Sequence, residues 1–356
     1  MKIIWGILIL LVIVVAHEMG HFLIARLNGI EVKEFTIGFG PKLVGWTSKG
    51  GTRFCIRLIL FGAACVFEDL ENEDEDADLE TLYANSAYRK ANVYSRIATT
   101  LAGPVFNLIL AFIVGLFLMN YIDMPSTLIT GLTEDSVAAE AGLLPGDYIV
   151  KVNNSRTYLY PEVSMAVQLG YGKPLSVVYE RDGKRYSTEL IPRLSEEYGY
   201  YMIGVEFGGE GYVPQKDAVH IIKDSYLYVR YMVKMTVDSI RMLFGGQAKV
   251  SDLAGPVGAV EIVGDEYDSA KEQGPLAVLV SMLNIMILLS ANIGIINLFP
   301  IPAFDGGKLI FLLYEAIRGK PAEPKVEGVI QFIGIALLFV LLVVVMYNDI
   351  MRLFIK

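Results

Sequence analysis

Long apolar runs dominate the chain and alternate with shorter polar stretches. Four of them, Ile3–Ala25, Ile97–Ile122, Leu276–Phe299 and Val329–Ile350, are long enough to cross a bilayer core of about 30 Å as helix. Between the second and third runs the period changes. Residues 126–194 hold short alternating segments, LITGL, DYIVKVN and LSVVYERDGKRYSTEL, which predict strands. Within the last of these, Arg181-Asp182-Gly183 is a hairpin turn signal. Residues 217–244 carry apolar positions at helical spacing, with Lys223, Arg230, Lys234 and Arg241 among them. That pattern predicts a helix lying in the membrane interface. The fold class expected is a polytopic α-helical membrane protein of about four transmembrane helices, with an inserted β-rich domain outside the membrane.

The order along the chain follows. Residues 1–26 form the first span, 27–95 a cytosolic loop with membrane-dipping strands, and 96–122 the second span. The β-rich domain at 126–194 precedes a linker and interfacial helix at 195–275. The third span is 276–299, a loop and short cytosolic helix occupy 300–326, and the fourth span is 327–352. Lys2 and the following apolar run resemble a signal peptide. The run resumes after His21 as FLIA, however, giving about 23 residues, so a retained span is expected.

Charge sets the orientation. The loop after the first span holds Arg26, Lys33, Lys42, Lys49, Arg53, Arg57, Arg89, Lys90 and Arg96, and the 300–326 loop holds Lys308, Arg318, Lys320 and Lys325. The positive-inside rule places both in the cytosol and the β-rich domain outside. The net charge of −9 is local. Nine of the 39 acids lie in Glu68–Glu80, and the remainder equal the 30 bases. That run reads as a solvated loop. No basic cluster with interleaved aromatics points to nucleic acid. Cys55 and Cys65, the two cysteines, read as free thiols or packing residues in a cytosolic segment.

The chemistry begins inside the first span. VVAHEMGHFLIA (14–25) places His17, Glu18 and His21 where ionisable groups are costly. HEMGH is the HExxH pattern: histidines at i and i+4 share a helix face and can reach one metal, with the glutamate beside them as base. Two of the chain's three histidines are here. Catalytic zinc takes three protein ligands and keeps a fourth position open. A third candidate stands in NLFPIPAFDGG (297–307), where Pro300 and Pro302 break an apolar helix before Asp305. Broken backbone at this depth is tolerated inside protein or along a wet cavity, so Asp305 is expected to face an interior polar site.

These motifs, with IGFG (37–40), AGPVFN (102–107) and GPVG (255–258), resemble the site-2 protease type of intramembrane zinc metalloprotease. The bacterial subgroup with a PDZ domain is the one matched, since SVAAEAGLLPGDYIVKVN is similar to a PDZ domain. The resemblance runs in order over nearly the whole chain. It implies that His17, His21 and Asp305 ligate Zn²⁺ and that Glu18 is the catalytic base. It also implies that Asn297 holds substrate backbone, with Pro300 and Asn107 completing the substrate-binding set. The family's usual turn in the first cytosolic region is replaced here by LFGAACV (60–66).

The function expected is zinc-dependent cleavage of transmembrane segments of single-span membrane proteins, for example anti-sigma factors or remnant signal peptides. The partners expected are the bilayer, a transmembrane substrate and a peptide or protein at the PDZ-like domain. A zinc-holding, non-catalytic scaffold presenting its PDZ-like domain is the alternative. Glu18 argues against it, because holding a metal needs no base. A metal-ion transporter would need ionisable groups inside several spans, and the second and fourth read as apolar in their interiors.

Overall fold

The computed structural model describes residues 2–67, 86–124, 126–134, 136–196, 198–208, 216–245 and 255–355. The acidic run at 68–80 lies outside the described residues. Among the described residues, four helices are long and apolar enough to span a membrane: Ile3–Leu27, Val93–Leu118, Pro275–Asn297 and Lys325–Met351. The chain is a multi-pass helical membrane protein with a β-rich insertion. It divides into two compact units, Met1–Val114 with Met232–Lys356, and Gly115–Tyr231.

The first unit opens with helix α1 (Lys2–Leu27), whose apolar residues are spread over all its faces, as a helix set in lipid and protein requires, with His17, Glu18 and His21 interrupting them. Strands β1 (Glu34–Thr47) and β2 (Arg53–Val66) follow. β1 pairs with β2 on both sides: Phe35 faces Phe54 in parallel register and Cys65 in the opposite sense, while Trp46 faces Phe54 across a hairpin. The rungs therefore run 59–66, 34–39, 53–57, 42–47. Gly38, at φ +87°, lets the strand bend where IGFG was singled out, and a Cβ there would sit 2.5 Å from the Ile59 carbonyl. The outer rungs leave Leu43, Trp46 and Ile59 exposed, and Phe39 at the end of its rung joins them in an apolar ribbon suited to lipid.

Helix α2 (Ala87–Lys90) is capped by Ser86, whose Oγ accepts the Arg89 N–H at 3.2 Å. Helix α3 (Val93–Leu118) contains Pro104. In the second unit come β3 (Ile129–Leu132), α4 (Val137–Glu140), β4 (Tyr148–Val152), β5 (Ser155–Arg156), α5 (Tyr160–Leu169), β6 (Leu175–Arg181), β7 (Lys184–Leu190), β8 (Arg193–Leu194), β9 (Tyr201–Met202) and β10 (Val205–Phe207). One sheet has the order β5-β4-β6-β7, and β10 pairs with β3. Asp182 and Gly183, at φ 51° and 72°, make the β6–β7 turn. Both signs match the primed turn that suits a twisted hairpin. The core joins Ile129, Leu143, Ile149, Val163, Leu175 and Val177. Glu162, fully buried, accepts the Tyr158 and Leu159 N–H groups and an Arg230 Nη1–H at 2.6 Å. A carboxylate so enclosed requires that full set of donors.

Helix α6 (Ala218–Phe244) is continuous. Helices α7 (Pro256–Gln273), α8 (Pro275–Asn297), α9 (Asp305–Arg318) and α10 (Pro324–Ile355) complete the chain. Ile9 and Ile13 of α1 pack with Val263 of α7 and with Met282 and Ile285 of α8. Arg96 pairs with Glu315, and Arg89 with Glu327 at 3.1 Å, tying α3 and α2 to α9 and α10. Near its far end α10 carries Asp349. Asp349, 2% exposed, accepts the N–H groups of Gly255 (3.3 Å) and Gly258 (2.8 Å), so GPVG is a helix N-terminus closed by a carboxylate.

Candidate active site

His17 and His21 lie one turn apart on α1, both below 10% exposed, with ring centroids 4.8 Å apart and nearly perpendicular. Their spacing follows from helix geometry alone. Their approach to α3 depends on two glycines. A Cβ on Gly20 would lie 2.5 Å from the Ala102 carbonyl oxygen, and one on Gly103 would strike the ring atoms of both histidines. The AGPVFN motif thus supplies the flat surface against which the imidazoles rest. Close helix approach through small residues is the usual basis of packing in membranes.

Asp305 is the first residue of α9, so its carboxylate sits at a helix N-terminus. Its Oδ2 is 3.1 Å from His17 Nε2 and 3.2 Å from His21 Nε2, and the two Nε2 atoms are 3.2 Å apart. Among the described residues these three form the group able to hold a metal ion. His21 Nδ1 is 2.8 Å from the Thr99 carbonyl, an acceptor, so Nδ1 carries a proton and Nε2 is the ring nitrogen turned toward Asp305. The His17 Nδ1 faces the Asn107 amide at 3.3 Å, and Asn107 Oδ1 is buried without a partner. Turning that amide over gives Oδ1 the His17 Nδ1–H and leaves Nε2 free to ligate. One shared proton satisfies one edge of this triangle; a cation at its centre satisfies all three. Ligands about 2.0–2.1 Å from a tetrahedral zinc lie roughly 3.3–3.4 Å apart, close to the edges found here. The residues present fit zinc.

Glu18 does not join the triangle. Its Oε2 accepts the Cys65 N–H of β2 at 3.0 Å. The site opens into a cavity of about 490 Å³, also lined by Ala64, Tyr88, Asn297, Ala303 and Lys308. The Tyr88 hydroxyl bonds Thr100 Oγ1 at 2.7 Å, and burial pushes its pKa up to about 12, so it stays a neutral phenol.

The structure brings His17, Glu18, His21, Asp305 and Asn297 to one cavity. It does not bring Asn107 and Pro300 there as substrate-binding residues. Asn107 has no exposed surface and stands behind His17. Pro300 is exposed and lies outside the cavity lining. Three participants went unseen in the sequence: the Cys65 N–H, the Thr99 carbonyl and Tyr88. The first two are backbone groups, which no residue type advertises.

Residues 5–341 match the model of peptidase family M50. The chain is 30% identical to the regulator of sigma-W protease RasP of Bacillus subtilis, covering 95% of each chain. It is equally similar to the zinc metalloprotease RasP of Geobacillus kaustophilus, at 30% identity over 95% of each. One segment, 24% of the chain, aligns with 88% of the PDZ domain of an SdrC-like protein from Listeria monocytogenes, at 17% identity and a TM-score of 0.21. By the family match and these relatives, the chain belongs to peptidase family M50, the site-2 protease type, as a zinc metalloendopeptidase of the membrane.

Proposed function

We propose that this protein hydrolyses a peptide bond within the membrane-spanning segment of a single-span membrane protein, with His17, His21 and Asp305 as metal ligands and Glu18 as base. The observation that carries the reading is the closure of the three-donor triangle by two residues of the apolar helix α1 and one at the N-terminus of α9, with Glu18 one residue from the first ligand. His17 is 14 residues from Ile3, about 21 Å along α1, well inside a core of about 30 Å.

Zinc in such a site supplies Lewis-acid polarisation of the scissile carbonyl and acidifies water from a pKa of 15.7 to roughly 7. Glu18 Oε2 is held by Cys65, leaving Oε1 to take the proton of the attacking water and deliver it to the leaving nitrogen. Thr99 and Asn107 fix the ring orientations of His21 and His17. A helical substrate has its carbonyls bonded internally and must unwind. Residues 59–66 of β2 form the outer rung beside the cavity and offer the extended segment a partner strand, and Asn297 offers an amide at the cavity wall.

The basic loops support a cytosolic position for 27–95 and 300–326, with the PDZ-like domain extracytoplasmic as a peptide receptor or size filter. The sigma-W name of one relative supports anti-sigma factors as substrates, with remnant signal peptides a second class. The test is purified protein in liposomes with a single-span substrate, product ends read by mass spectrometry. Termini inside the apolar segment are expected, with Glu18→Gln slowing cleavage by about 10²–10⁴ while zinc stays bound. Cuts confined to soluble flanks, or a fully active Glu18→Gln, would overturn the proposal.

A further inference from the structure

Asp305 reaches the histidines from an irregular segment, 298–304, between α8 and α9. That segment contains a strained residue: Ala303 has φ +85°, a left-handed conformation that L side chains adopt only when the surroundings hold them there. Its N–H points at α10. Between Gly328 and Tyr347, α10 is apolar except at Gln331, in the most hydropathic of the four spans. The Gln331 Oε1 accepts the Ala303 N–H at 2.9 Å. Because Ala303 can only donate, the amide must present its oxygen, and Nε2 is left buried without a partner among the described residues. One turn further along the same face is Gly334, whose Cβ would lie 2.8 Å from the Pro302 carbonyl carbon and closer still to the Pro302 side chain. The i, i+3 pair on α10 thus grips residues 302 and 303 from one side, one by a hydrogen bond and one by close approach.

We infer that Gln331 is a positioning residue for the metal centre: its amide oxygen, with the flat surface at Gly334, holds Ala303 in the left-handed turn that aims Asp305 at His17 and His21. The inference rests on the zinc-site reading but not on any hydrolytic step. Irregular backbone at membrane depth has no water to satisfy it, so a lost acceptor leaves the Ala303 N–H bare. The loop then relaxes toward ordinary φ values and carries Asp305, two residues on, away from the triangle.

The test measures zinc affinity by chelator competition on purified full-length protein, and the visible spectrum of the cobalt-substituted form. Gln331→Leu keeps the size and removes the acceptor; zinc should bind about 10–100-fold more weakly, as for other groups that orient metal ligands, with a shifted cobalt spectrum. Gln331→Glu keeps an acceptor oxygen and should stay within a few-fold of wild type. Adding Ala303→Gly to Gln331→Leu should recover part of the loss, since glycine adopts positive φ freely. Gly334→Ala should loosen zinc from the other contact, and reads the same interaction if the leucine variant does not fold. Wild-type affinity and spectrum in a folded Gln331→Leu, equal losses in the leucine and glutamate variants, or an unaffected Gly334→Ala would each overturn the inference. A wild type that binds zinc tightly yet cuts no membrane segment would instead sink the proposed protease reading and leave this one standing.

Discussion

In the proposed metal site Asp305 would contribute a charged oxygen beside the two histidine nitrogens. Asp305→Asn keeps the shape and removes the charge, so zinc content and cleavage should both fall by at least tenfold, measured by metal analysis and turnover on the same preparation. Full occupancy with full activity would place the third ligand elsewhere. Glu18 behaves differently because it bonds a strand edge rather than the triangle. In the proposed mechanism its two oxygens would have separate tasks, one holding the Cys65 N–H and one taking the proton, so that the base stands beside the metal without ligating it. HExxH shows the residue types in the sequence; it does not show which oxygen is tethered, because the tether is a backbone N–H 47 residues away.

Helices α1 and α3 meet through glycines, and the second of these touches both ligands. Gly103→Ala adds one methyl at a contact with no room for it. The helices must separate, at an overpacking cost of about 1–3 kcal/mol, and the histidines must tilt. Reduced zinc stoichiometry in a protein that still purifies intact is the expected result; unchanged stoichiometry would show the helices adjust freely. In the β-rich element the decisive contact is ionic. Asp147 accepts two bonds from Arg181, both at 2.7 Å, and the Leu144 N–H at 2.8 Å. Burial alone would raise its pKa, but the Arg181 and Leu144 hydrogen bonds outweigh burial and hold it below the ordinary value. A depressed folded-state pKa means the contribution is complete above the unfolded value of about 3.9 and is lost as pH falls through the folded value. Proteolytic resistance of the 126–208 segment should therefore drop below about pH 4 in the wild type, with Asp147→Asn already sensitive at pH 7 and flat across that window.

In the whole molecule the ligands and the β-rich insertion belong to different compact units. Deleting 126–194 should change which substrates are cut more than whether any are cut. A pre-trimmed single-span substrate should be cleaved at a rate within about tenfold of wild type, provided zinc content certifies folding. A zinc-loaded deletion that cuts nothing would make the domain part of the catalytic machinery. The proposed topology predicts that single cysteines at 27–60, introduced after replacing Cys55 and Cys65, label from the cytosolic side, and cysteines in 136–190 from outside. The reverse pattern would invert the map.

The sequence by itself determined the parts governed by local periodicity. Apolar runs of span length, strands of period two and an i, i+4 histidine pair follow from backbone geometry, so the four candidate spans, the β-rich insertion and the HExxH face were legible residue by residue. Asp305 was legible as a charge after broken helix, which membrane energetics makes conspicuous. What the tertiary structure decided were contacts between segments far apart in the chain. Asn107 looked like a substrate-binding residue because it closes a motif; packing put it behind His17 with no exposed surface. Gln331 is one polar residue in an apolar span, and only the folded chain shows its oxygen on Ala303, 28 residues away. Asp349 stands near the end of the last apolar run, and only the fold shows it closing the N-terminus of α7. Each depends on unsatisfied backbone N–H groups or on the space left by absent side chains. Those demands exist at every residue, and only the fold selects which polar side chain arrives to meet them.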